Sequence, residues 1–185
     1  DYLAIVIDIG GDTETFRSEL DPDYKATRDQ TPEDLLPQVQ RITEIARLMG
    51  IPVLGVAGVE ADDVIASLCE RFKTQPDLHI RLVSKDKDLQ QLLNDRVEMY
   101  DVHTDEVIDA RQLHDDKGVS PDQVVDMLAL MGDNVDNIPG VPGIGPKTAA
   151  KLIDKYGSVE NLLEHTDELS PRQRENIEAA RDRLA

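Results

Sequence analysis

A strand-like run gives way to a helical pattern at Val59-Glu60-Ala61-Asp62-Asp63-Val64. The apolar run at 51–56 has the length of a short strand, and the apolar residues from Val64 to Cys69 recur at helical spacing. The three carboxylates therefore follow a strand and begin a helix. Acids in a first helical turn are favoured by the helix dipole, so this stretch alone fits a plain helix start as well as a functional acid cluster.

The same strand-then-acid pattern occurs twice more. An apolar run at 3–7, predicted to be a strand buried on both faces, is closed by Asp8. A strand predicted at 79–83 is followed by Ser84-Lys85-Asp86-Lys87-Asp88-Leu89 and a helix predicted at 86–93. Strands that alternate with helices predict an α/β fold, with a three-layer core around a mostly parallel sheet. Ligands of such sheets bind beyond the carboxyl ends of the strands, where these acids fall.

The remaining pattern divides the chain near Gly118. Thr31-Pro32 is typical of a helix start and is followed by apolar residues at helical spacing up to Met49. Residues 97–100 and 107–108 predict a small hairpin. After Ser120-Pro121 the pattern is helical throughout, with later helices predicted at 159–165 and 172–184. We therefore expect an α/β core at 1–118 and a helical subdomain at 119–185.

Composition excludes several classes of protein. The 3% of aromatic residues and the absence of Trp argue against platforms that stack single-stranded bases. The net charge of -18 argues by itself against a polyanionic partner, although an acid cluster that binds a divalent cation produces the same charge count. The single Cys69 excludes an internal disulfide and predicts a reducing, cytoplasmic compartment. No apolar run reaches the roughly 20 residues that a membrane span needs.

Eight acids are predicted to lie at one edge of the sheet. They are Asp8, Glu60, Asp62, Asp63, Asp86, Asp88, Asp133 and Asp136. So many carboxylates would repel one another unless cations held them, and oxygen ligands without His or Cys favour Mg²⁺ or Mn²⁺ over Zn²⁺. Two such ions can generate a hydroxide and stabilise the leaving oxygen of a phosphodiester. An EF-hand is not indicated, because the 86–89 stretch lacks the required glycine and terminal glutamate.

A glycine-rich turn at 138–152 precedes a helix. Gly140, Gly143 and Gly145 permit close backbone approach, and amides at the start of a helix can bind a phosphate without reading sequence. Lys147 and Lys151 are four residues apart and share one helical face. The alternative is a purely structural helix-turn-helix. A P-loop is excluded because Gly-Lys-Ser/Thr is absent.

Four linked motifs resemble the 5′-nuclease (flap endonuclease) family, and most closely the 5′→3′ exonuclease domain of bacterial DNA polymerase I. The first is Phe16-Arg17 with Tyr24-Lys25-Ala26-x-Arg28, and the next two are Glu60-Ala61-Asp62-Asp63 and Asp86-Lys87-Asp88-Leu89. The fourth runs from Gly132-Asp133-x-x-Asp136-Asn137-Ile138-Pro139-Gly140 into Gly143-Ile144-Gly145-x-Lys147-Thr148-Ala149.

The resemblance implies a metal-dependent nuclease that cuts the 5′ strand of flapped or nicked DNA in replication and repair. It assigns Asp8, Glu60, Asp62 and Asp63 to one Mg²⁺ or Mn²⁺ ion and Asp88, Asp133 and Asp136 to another, with Asp86 near both. Lys25 and Arg28 are implied to act at the scissile phosphate, within an arch-like segment at about 12–30. DNA contacts are implied for Phe16, Arg17, Gly140, Gly143, Ile144, Gly145, Lys147, Thr148 and Lys151, with K⁺ at the turn.

Two departures from the family pattern stand out. The family begins with a further strand ending in Asp-Gly, and this sequence starts after that strand, so we expect a missing ligand and impaired cleavage. The loop at 9–15 carries Asp12 and Glu14 where the family has a shorter, more basic linker. Two other functions stay open. One is a catalytically silent DNA-junction-binding module, and the other is an acidic Ca²⁺-binding or protein-interaction domain. A polymerase domain in the same parent chain is a further expectation.

Overall fold

A computed structural model describes residues 2–9, 15–28 and 31–184. Its strands are β1 Ile5–Val6, β2 Val53–Leu54, β3 Ile80–Val83, β4 Val97–Asp101, β5 Glu106–Ile108, β6 Gly132–Asp133 and β7 Ile138–Pro139. Its helices are α1 Phe16–Leu20, α2 Leu35–Leu48, α3 Ala61–Phe72, α4 Ala110–Lys117, α5 Val124–Met131, α6 Pro146–Tyr156, α7 Val159–Glu164 and α8 Pro171–Leu184. This mixed α/β architecture confirms the predicted fold class. Among the described helices, none combines the length and apolar character needed to cross a membrane.

Contacts between residues divide the chain into two compact units. The first, which we call the amino-terminal unit, comprises Asp1–Arg71 with Val135–Asn137. The second, the carboxy-terminal unit, comprises Phe72–Asn134 with Ile138–Ala185. This grouping differs from the boundary near Gly118 expected from the helical texture of the sequence, and that boundary stays a prediction.

The amino-terminal unit contains the parallel pair β1 and β2. Ile5 lies opposite Val53, and Ile7 donates its amide to the Leu54 carbonyl at 2.9 Å. Parallel pairing is as predicted, but the expectation that 3–7 is buried on both faces is wrong for the described residues. Ile5 to Ile7 are half-buried and Leu3 is exposed. The reason is that, within the part of the chain that the structure describes, β1 pairs with no strand except β2.

Helix α2 begins later than the sequence suggests. The predicted start at Thr31-Pro32 is replaced by a start at Leu35, with Asp34 at the N-cap. Its apolar residues do recur at helical spacing, yet Ile42 and Ile45 are more than half exposed and Ala46 is the residue that the helix buries. Periodicity therefore located the apolar face correctly without indicating whether another element covers it.

The carboxy-terminal unit is built on a three-stranded sheet in the order β3-β4-β5. β3 and β4 are parallel, with Leu82 opposite Met99, and β4 and β5 are antiparallel, with Met99 opposite Ile108. The predicted hairpin is thus confirmed. The helix predicted at 86–93 is instead a 3₁₀ helix at Lys87–Leu92, whose Leu89 is buried.

The helices that follow share one apolar core. Ser120 forms a capping box with Gln123 on a 3₁₀ turn that leads into α5, close to the predicted helix start. The buried core includes Met127, Leu130, Ile153, Leu162 and Ile177. Both late helices are present where the sequence predicts them, at α7 and α8. These packed helices form the support for the glycine-rich turn.

The glycine-rich turn begins where β6 and β7 pair at very close range. Gly132 has φ +70°, in the left-handed region that favours glycine, and a Cβ on it would come under 3.0 Å from the Gly140 backbone. A Cβ on Gly140 would in turn come under 3.0 Å from the Met131 backbone. Backbone atoms cannot move aside as a flexible side chain does. Both positions therefore require glycine for steric reasons.

Substituting Gly140 should destabilise the carboxy-terminal unit, whereas substituting Gly145 in the same turn should not. Gly140→Ala forces a methyl group into the Met131 backbone, and such overpacking is expected to lower the free energy of unfolding by about 3 kcal/mol. Gly145 has an open environment with nothing within 4 Å of an added Cβ, so Gly145→Ala is the matched control. Urea unfolding of both variants measures the difference. Equal stability of the two would contradict the close approach of β6 and β7.

Helix α8 is tied to the preceding turn through Glu178. Its carboxylate accepts hydrogen bonds from Arg181 Nε at 2.7 Å and from Thr166 Oγ1 at 2.6 Å. These bonds to the charged form lower the pKa of Glu178 from 4.5 to about 2, with Arg181 as the main cause.

A depressed pKa makes the stabilising effect of Glu178 depend on pH. The effect is complete above pH 4.5, the ordinary pKa, and is lost as the pH falls towards about 2. Glu178→Gln should therefore lower the unfolding temperature at neutral pH, and the difference from the unsubstituted chain should vanish near the folded-state pKa. Thermal unfolding between pH 7 and pH 2 checks this, with Glu175→Gln on the same exposed helix as the control. A difference that persists to the lowest pH would show that the contact acts through shape and not charge.

Candidate functional site

Three carboxylates and three cationic side chains meet in the amino-terminal unit. We call Glu60, Asp63 and Asp136 the amino-terminal acid cluster. Each carboxylate has its own cationic partner: Lys25 for Glu60, Arg17 for Asp63 and Arg28 for Asp136. The acids were predicted from sequence as metal ligands and the cations as DNA contacts. The structure brings both sets together.

Glu60 lies at the centre of this cluster. It is 4% exposed, and its Oε2 accepts from Lys25 Nζ at 2.9 Å and from the Tyr24 hydroxyl at 3.1 Å. Its other oxygen, Oε1, is shielded from solvent and has no hydrogen-bond partner among the described residues. A buried anionic oxygen without a partner is strongly unfavourable. The described part of the chain therefore leaves one ligand position of Glu60 unsatisfied.

Asp63 is held by a two-point contact. Arg17 Nη1 and Nη2 donate to its two carboxylate oxygens at 2.6 and 2.8 Å, and the Glu60 amide donates to Oδ2 at 3.1 Å. The Arg17 hydrogen bonds are the main reason why the pKa of Asp63 is lowered. The Arg17 guanidinium also lies 4.6 Å from the centre of the Phe16 ring, and Phe16 itself is exposed. Phe16 and Arg17 are thus in contact with each other beside the cluster.

Asp136 is fixed through both its side chain and its backbone. Arg28 Nη2 donates to Oδ1 at 2.6 Å, and the Tyr24 hydroxyl lies 3.4 Å from Oδ2. The Asp136 carbonyl accepts from the Lys25 amide at 2.9 Å. The neighbouring Asn137 donates its side-chain amide to the Asp23 carbonyl at 2.8 Å. These contacts hold Asp136 against the 23–28 segment, and its assignment with Asp88 and Asp133 to one metal ion stays a prediction.

Tyr24 belongs to the first motif of the sequence, but no site role was predicted for it. Its hydroxyl faces both Glu60 and Asp136. Burial is the main reason why the pKa of the phenol is raised, and the negative charges of Asp136 and Glu60 raise it further. Tyr24 therefore stays protonated as a donor to the carboxylates. The only sequence signal was its position next to Lys25.

The two other predicted ligands of this unit lie at the start of α3. Asp8 is exposed, and its Oδ1 accepts from the Ala61 amide at 2.6 Å, as a helix cap does. Asp62 is half-buried in the first turn of the helix. Asp8 thus caps α3, a role that the sequence analysis did not predict for it. A capping carboxylate still keeps a second oxygen for other ligands.

The carboxy-terminal unit carries the predicted ligands Asp86, Asp88 and Asp133, of which Asp88 and Asp133 bring carboxylate oxygens close together. Asp88 and Asp133 are half-buried, and each offers a carboxylate oxygen within 4.8 Å of the other's. Asp86 is exposed and caps the 3₁₀ helix by accepting from the Asp88 amide at 2.9 Å. Lys87 donates to Asp133 Oδ2 at 2.7 Å. Lys87 was not predicted, although it stands between two predicted ligands in sequence.

Lys117 lies near this second group of acids. Its Nζ donates to the buried Gln90 side chain at 2.6 Å. Burial is the main reason why the pKa of Lys117 is lowered, and the charge of Lys87 contributes. Sequence reasoning missed Lys117 because its partner is 27 residues away and no motif contains it.

The glycine-rich turn presents an exposed helix start. Gly145 is the N-cap of α6, and Lys147 and Lys151 are exposed on that helix. Within the described residues, the amides of Gly145 and Lys147 donate no hydrogen bond, whereas the half-buried Thr148 donates its amide to the Gly145 carbonyl at 2.9 Å. Unpaired amides at a helix start are suited to bind an anion.

Ile144 is placed differently from its predicted role. Its side chain is 6% exposed and belongs to the apolar core, and its amide donates to the Val141 carbonyl at 3.0 Å. A side chain in the core cannot contact DNA. The contribution of Ile144 is therefore to hold the turn on the core, while Gly140 is half-buried and Gly143 is exposed. Of the loop predicted at 9–15, residues 10–14, with Asp12 and Glu14, lie outside the described residues, as do residues 29–30 of the arch-like segment.

Comparison with protein families gives two adjoining matches. Residues 1–118 match the family described as 5′-3′ exonuclease, N-terminal resolvase-like domain. Residues 119–185 match the family described as 5′-3′ exonuclease, C-terminal SAM fold. Together the two matches cover the chain.

Relatives and solved structures agree with these matches. The chain is 42% identical over 183 residues to a 5′-3′ exonuclease of Aquifex aeolicus, covering 99% of this chain and 61% of that protein. It is 42% identical over 182 residues to the thermostable DNA polymerase I of Thermus aquaticus, covering 98% of this chain and 22% of that protein. The chain thus spans less than two thirds of either relative.

A solved structure of a bacteriophage T5 flap endonuclease, described as a pseudo-enzyme–product complex with DNA and metal ions, has the same fold. The TM-score is 0.83 at 27% identity, covering 99% of this chain and 71% of that one. The catalytic core of Rad2 in complex with DNA substrate matches with a TM-score of 0.57 at 17% identity, which concerns the fold alone. From its paired acids and cations, its glycine-rich turn and these matches, we conclude that the chain belongs to the 5′-3′ exonuclease family.

Proposed function

We propose that this chain is a structure-specific 5′ nuclease, a 5′→3′ exonuclease or flap endonuclease that hydrolyses DNA phosphodiesters with divalent cations. The observation that carries the proposal is the buried Glu60 Oε1, which lacks a hydrogen-bond partner among the described residues. The family membership of the chain and the DNA and metal ions in the similar phage structure support the proposal.

The donor set fits a hard divalent cation. Glu60 offers an unsatisfied oxygen, and the other proposed ligands are all carboxylates: Asp8, Asp62, Asp63, Asp86, Asp88, Asp133 and Asp136. Oxygen-only ligands favour Mg²⁺ or Mn²⁺, and we propose that two such ions are used. When bound, the ions supply a water activated for attack and stabilise the leaving oxygen of the phosphodiester.

The chain's own residues bind and orient the reacting groups. Tyr24 donates to Glu60 and lies beside Asp136, which holds the two carboxylates in fixed positions. Lys25 and Arg28 are proposed to contact the scissile phosphate and the 5′ strand, with Phe16 and Arg17 beside them. Protonated lysine and arginine side chains suit this role because they bind phosphate oxygens directly. No nucleophilic side chain is needed in this scheme.

Residues 119–185 are proposed to form the DNA-binding subdomain. The unpaired amides of Gly145 and Lys147, with the exposed side chains of Lys147 and Lys151, can hold successive backbone phosphates without reading the bases. Gly140, Gly143 and Thr148 shape the same surface. The K⁺ ion expected at this turn stays a proposal, and replacing K⁺ by Na⁺ in a DNA-binding assay tests it. Equal DNA affinity in K⁺ and in Na⁺ would show that the turn does not need K⁺ to bind DNA.

The setting of this activity is also a proposal. Because relatives include both a separate 5′-3′ exonuclease and DNA polymerases I, we infer a role in bacterial DNA replication and repair, in the cytoplasm, with a polymerase domain in the same parent chain. The mass of the parent protein in its source cells distinguishes a separate exonuclease from a polymerase.

Removing a central acid should abolish cleavage. Glu60→Gln and Asp136→Asn keep the shape of each side chain but remove a charged ligand, and each should slow cleavage of a 5′-flap duplex roughly 100-fold or more in Mg²⁺ or Mn²⁺. The matched control is Glu44→Gln, which removes an exposed carboxylate of α2 and should cut normally.

Two results would decide against this proposal. Unchanged cleavage by both acid variants would remove these residues from the metal site. Salt-sensitive binding of the flap duplex without cleavage in any divalent cation would instead favour a catalytically silent DNA-junction-binding module.

Neutralising the α6 lysines should weaken DNA binding in a salt-dependent way. Each phosphate contact releases counterions, so Lys147→Ala and Lys151→Ala should each reduce the slope of log affinity against log salt by about 0.9. Lys155→Ala is the control, since Lys155 Nζ already pairs with Glu168 at 2.8 Å on the same helix. Fluorescence anisotropy with a labelled duplex measures the slopes. Equal salt slopes for all three lysine variants would show that DNA does not contact Lys147 and Lys151 of α6.

A further inference from the structure

We propose that Arg17, Lys25 and Arg28 are stand-in cations: they neutralise the amino-terminal acid cluster in the absence of a divalent cation and leave it when one binds. This inference rests on the proposed metal-dependent function of the cluster. It adds that binding of the divalent cation is an exchange of partners, which releases the side chains proposed to contact DNA.

Charge balance is the first argument. The cluster holds three carboxylates, Glu60, Asp63 and Asp136, and three cations pair with them, Arg17 reaching Glu60 at 3.9 Å as well as Asp63. The group is therefore neutral as it stands. A doubly charged ion bound to these three carboxylates would add positive charge where their own charges are already compensated. Glu60, Lys25 and Asp136 are the most buried of the six side chains, and the repulsion there favours withdrawal of the cations.

The occupied oxygens are the second argument. Both oxygens of Asp63 accept from Arg17, and Oδ1 of Asp136 accepts from Arg28 at 2.6 Å. A metal ion needs those same lone pairs, so it can use these carboxylates fully only after the guanidinium groups move. Glu60 Oε1 is different, because no partner within the described residues occupies it. Glu60 is thus the ligand that is available before any exchange.

The position of Lys25 is the third argument. Its side chain is 9% exposed and its Nζ lies on the same carboxylate whose other oxygen is unsatisfied. A metal ion on Glu60 would place two positive charges on one carboxylate, and their repulsion opposes the attraction that holds Lys25. The backbone of Lys25 is in the left-handed region, with φ +56°, which residues with a Cβ adopt rarely. Loss of the Nζ contact would remove one of the bonds that keeps this conformation.

Exchange of this kind has a functional consequence. While Lys25 Nζ and Arg28 Nη2 are paired with carboxylates, those groups are not offered to phosphate. Once released, they provide the positive charge that a DNA strand requires, beside the newly bound metal ion. This exchange of partners makes contact with phosphate depend on metal binding.

Chemical labelling of lysine tests the exchange directly in the unsubstituted chain. Limited acetylation followed by peptide mass spectrometry compares Lys25 with the exposed Lys151 as an internal standard, with EDTA or with Mn²⁺ and without DNA. A lysine buried against a carboxylate reacts slowly, so the ratio of Lys25 to Lys151 labelling should rise about 5-fold with Mn²⁺, as accessibility increases. An unchanged or lower ratio would overturn the proposal.

Calorimetric titration with Mn²⁺ alone gives an independent readout. If Lys25 competes with the metal ion, Lys25→Met should bind Mn²⁺ about 5-fold more tightly, because the competitor is gone. Arg41→Gln, which removes an exposed cation of α2, controls for the loss of one positive charge. Equal affinities of the Lys25 and Arg41 variants would count against exchange.

The outcomes separate the two proposals. If the unsubstituted chain bound no Mn²⁺, both the proposed metal-dependent function and the proposed exchange would be refuted. Mn²⁺ binding with unchanged labelling of Lys25 would leave the nuclease proposal in place and refute the exchange alone.

Discussion

Burial of the Glu60 carboxylate is the constraint on which the amino-terminal unit depends. An ionised carboxylate removed from water loses several kcal/mol of solvation, so it is tolerated only with partners that restore most of that loss. Lys25 and Tyr24 supply these contacts from a different part of the chain. The need to satisfy one buried charge thus holds the 15–28 segment against the start of α3, and Asp136 is held by the same segment.

In the carboxy-terminal unit, packing and not ion pairing positions the candidate DNA-binding turn. Its helices bury an apolar core that includes Leu130, Ile153 and Ile177, and the phosphate-binding turn proposed for it rests on that core through Val141 and Ile144. The close approach of β6 and β7 sets where the turn begins. In the first unit, therefore, charge pairing positions the candidate site. In the second, packing of backbone and apolar side chains does so.

This difference explains which features the sequence could predict. The hairpin of β4 and β5 and the helices after Ser120 follow from local periodicity and capping, which act over a few residues. Asp8 and the acids at 60–63 and 86–88 were identifiable because each group follows a predicted strand. Their partners were not, since Arg17 and Asp63 are 46 residues apart and no local pattern links them. Tyr24 was hidden for the same reason.

The errors have equally physical causes. The apolar spacing of α2 correctly described a helix face but could not say that Ile42 and Ile45 would be exposed, because periodicity contains no information about a covering element. At 86–93 a helix was expected, and the Asp86 carboxylate caps a tighter 3₁₀ helix at Lys87–Leu92 instead. Ile144 was predicted as a DNA contact together with Gly143 and Gly145, but its large apolar side chain gains more from burial in the packed turn.

The net charge of -18 now has a local interpretation. An acidic chain should repel DNA, yet repulsion depends on where the unpaired charges lie and not on their sum. In the amino-terminal unit Glu60, Asp63 and Asp136 are each paired with a cation, which compensates their charges before any metal ion binds. A divalent cation then changes the sign of the region at the place where phosphate must approach. A strongly acidic sequence is therefore compatible with a DNA substrate, provided that the positive charge is created by the metal ion.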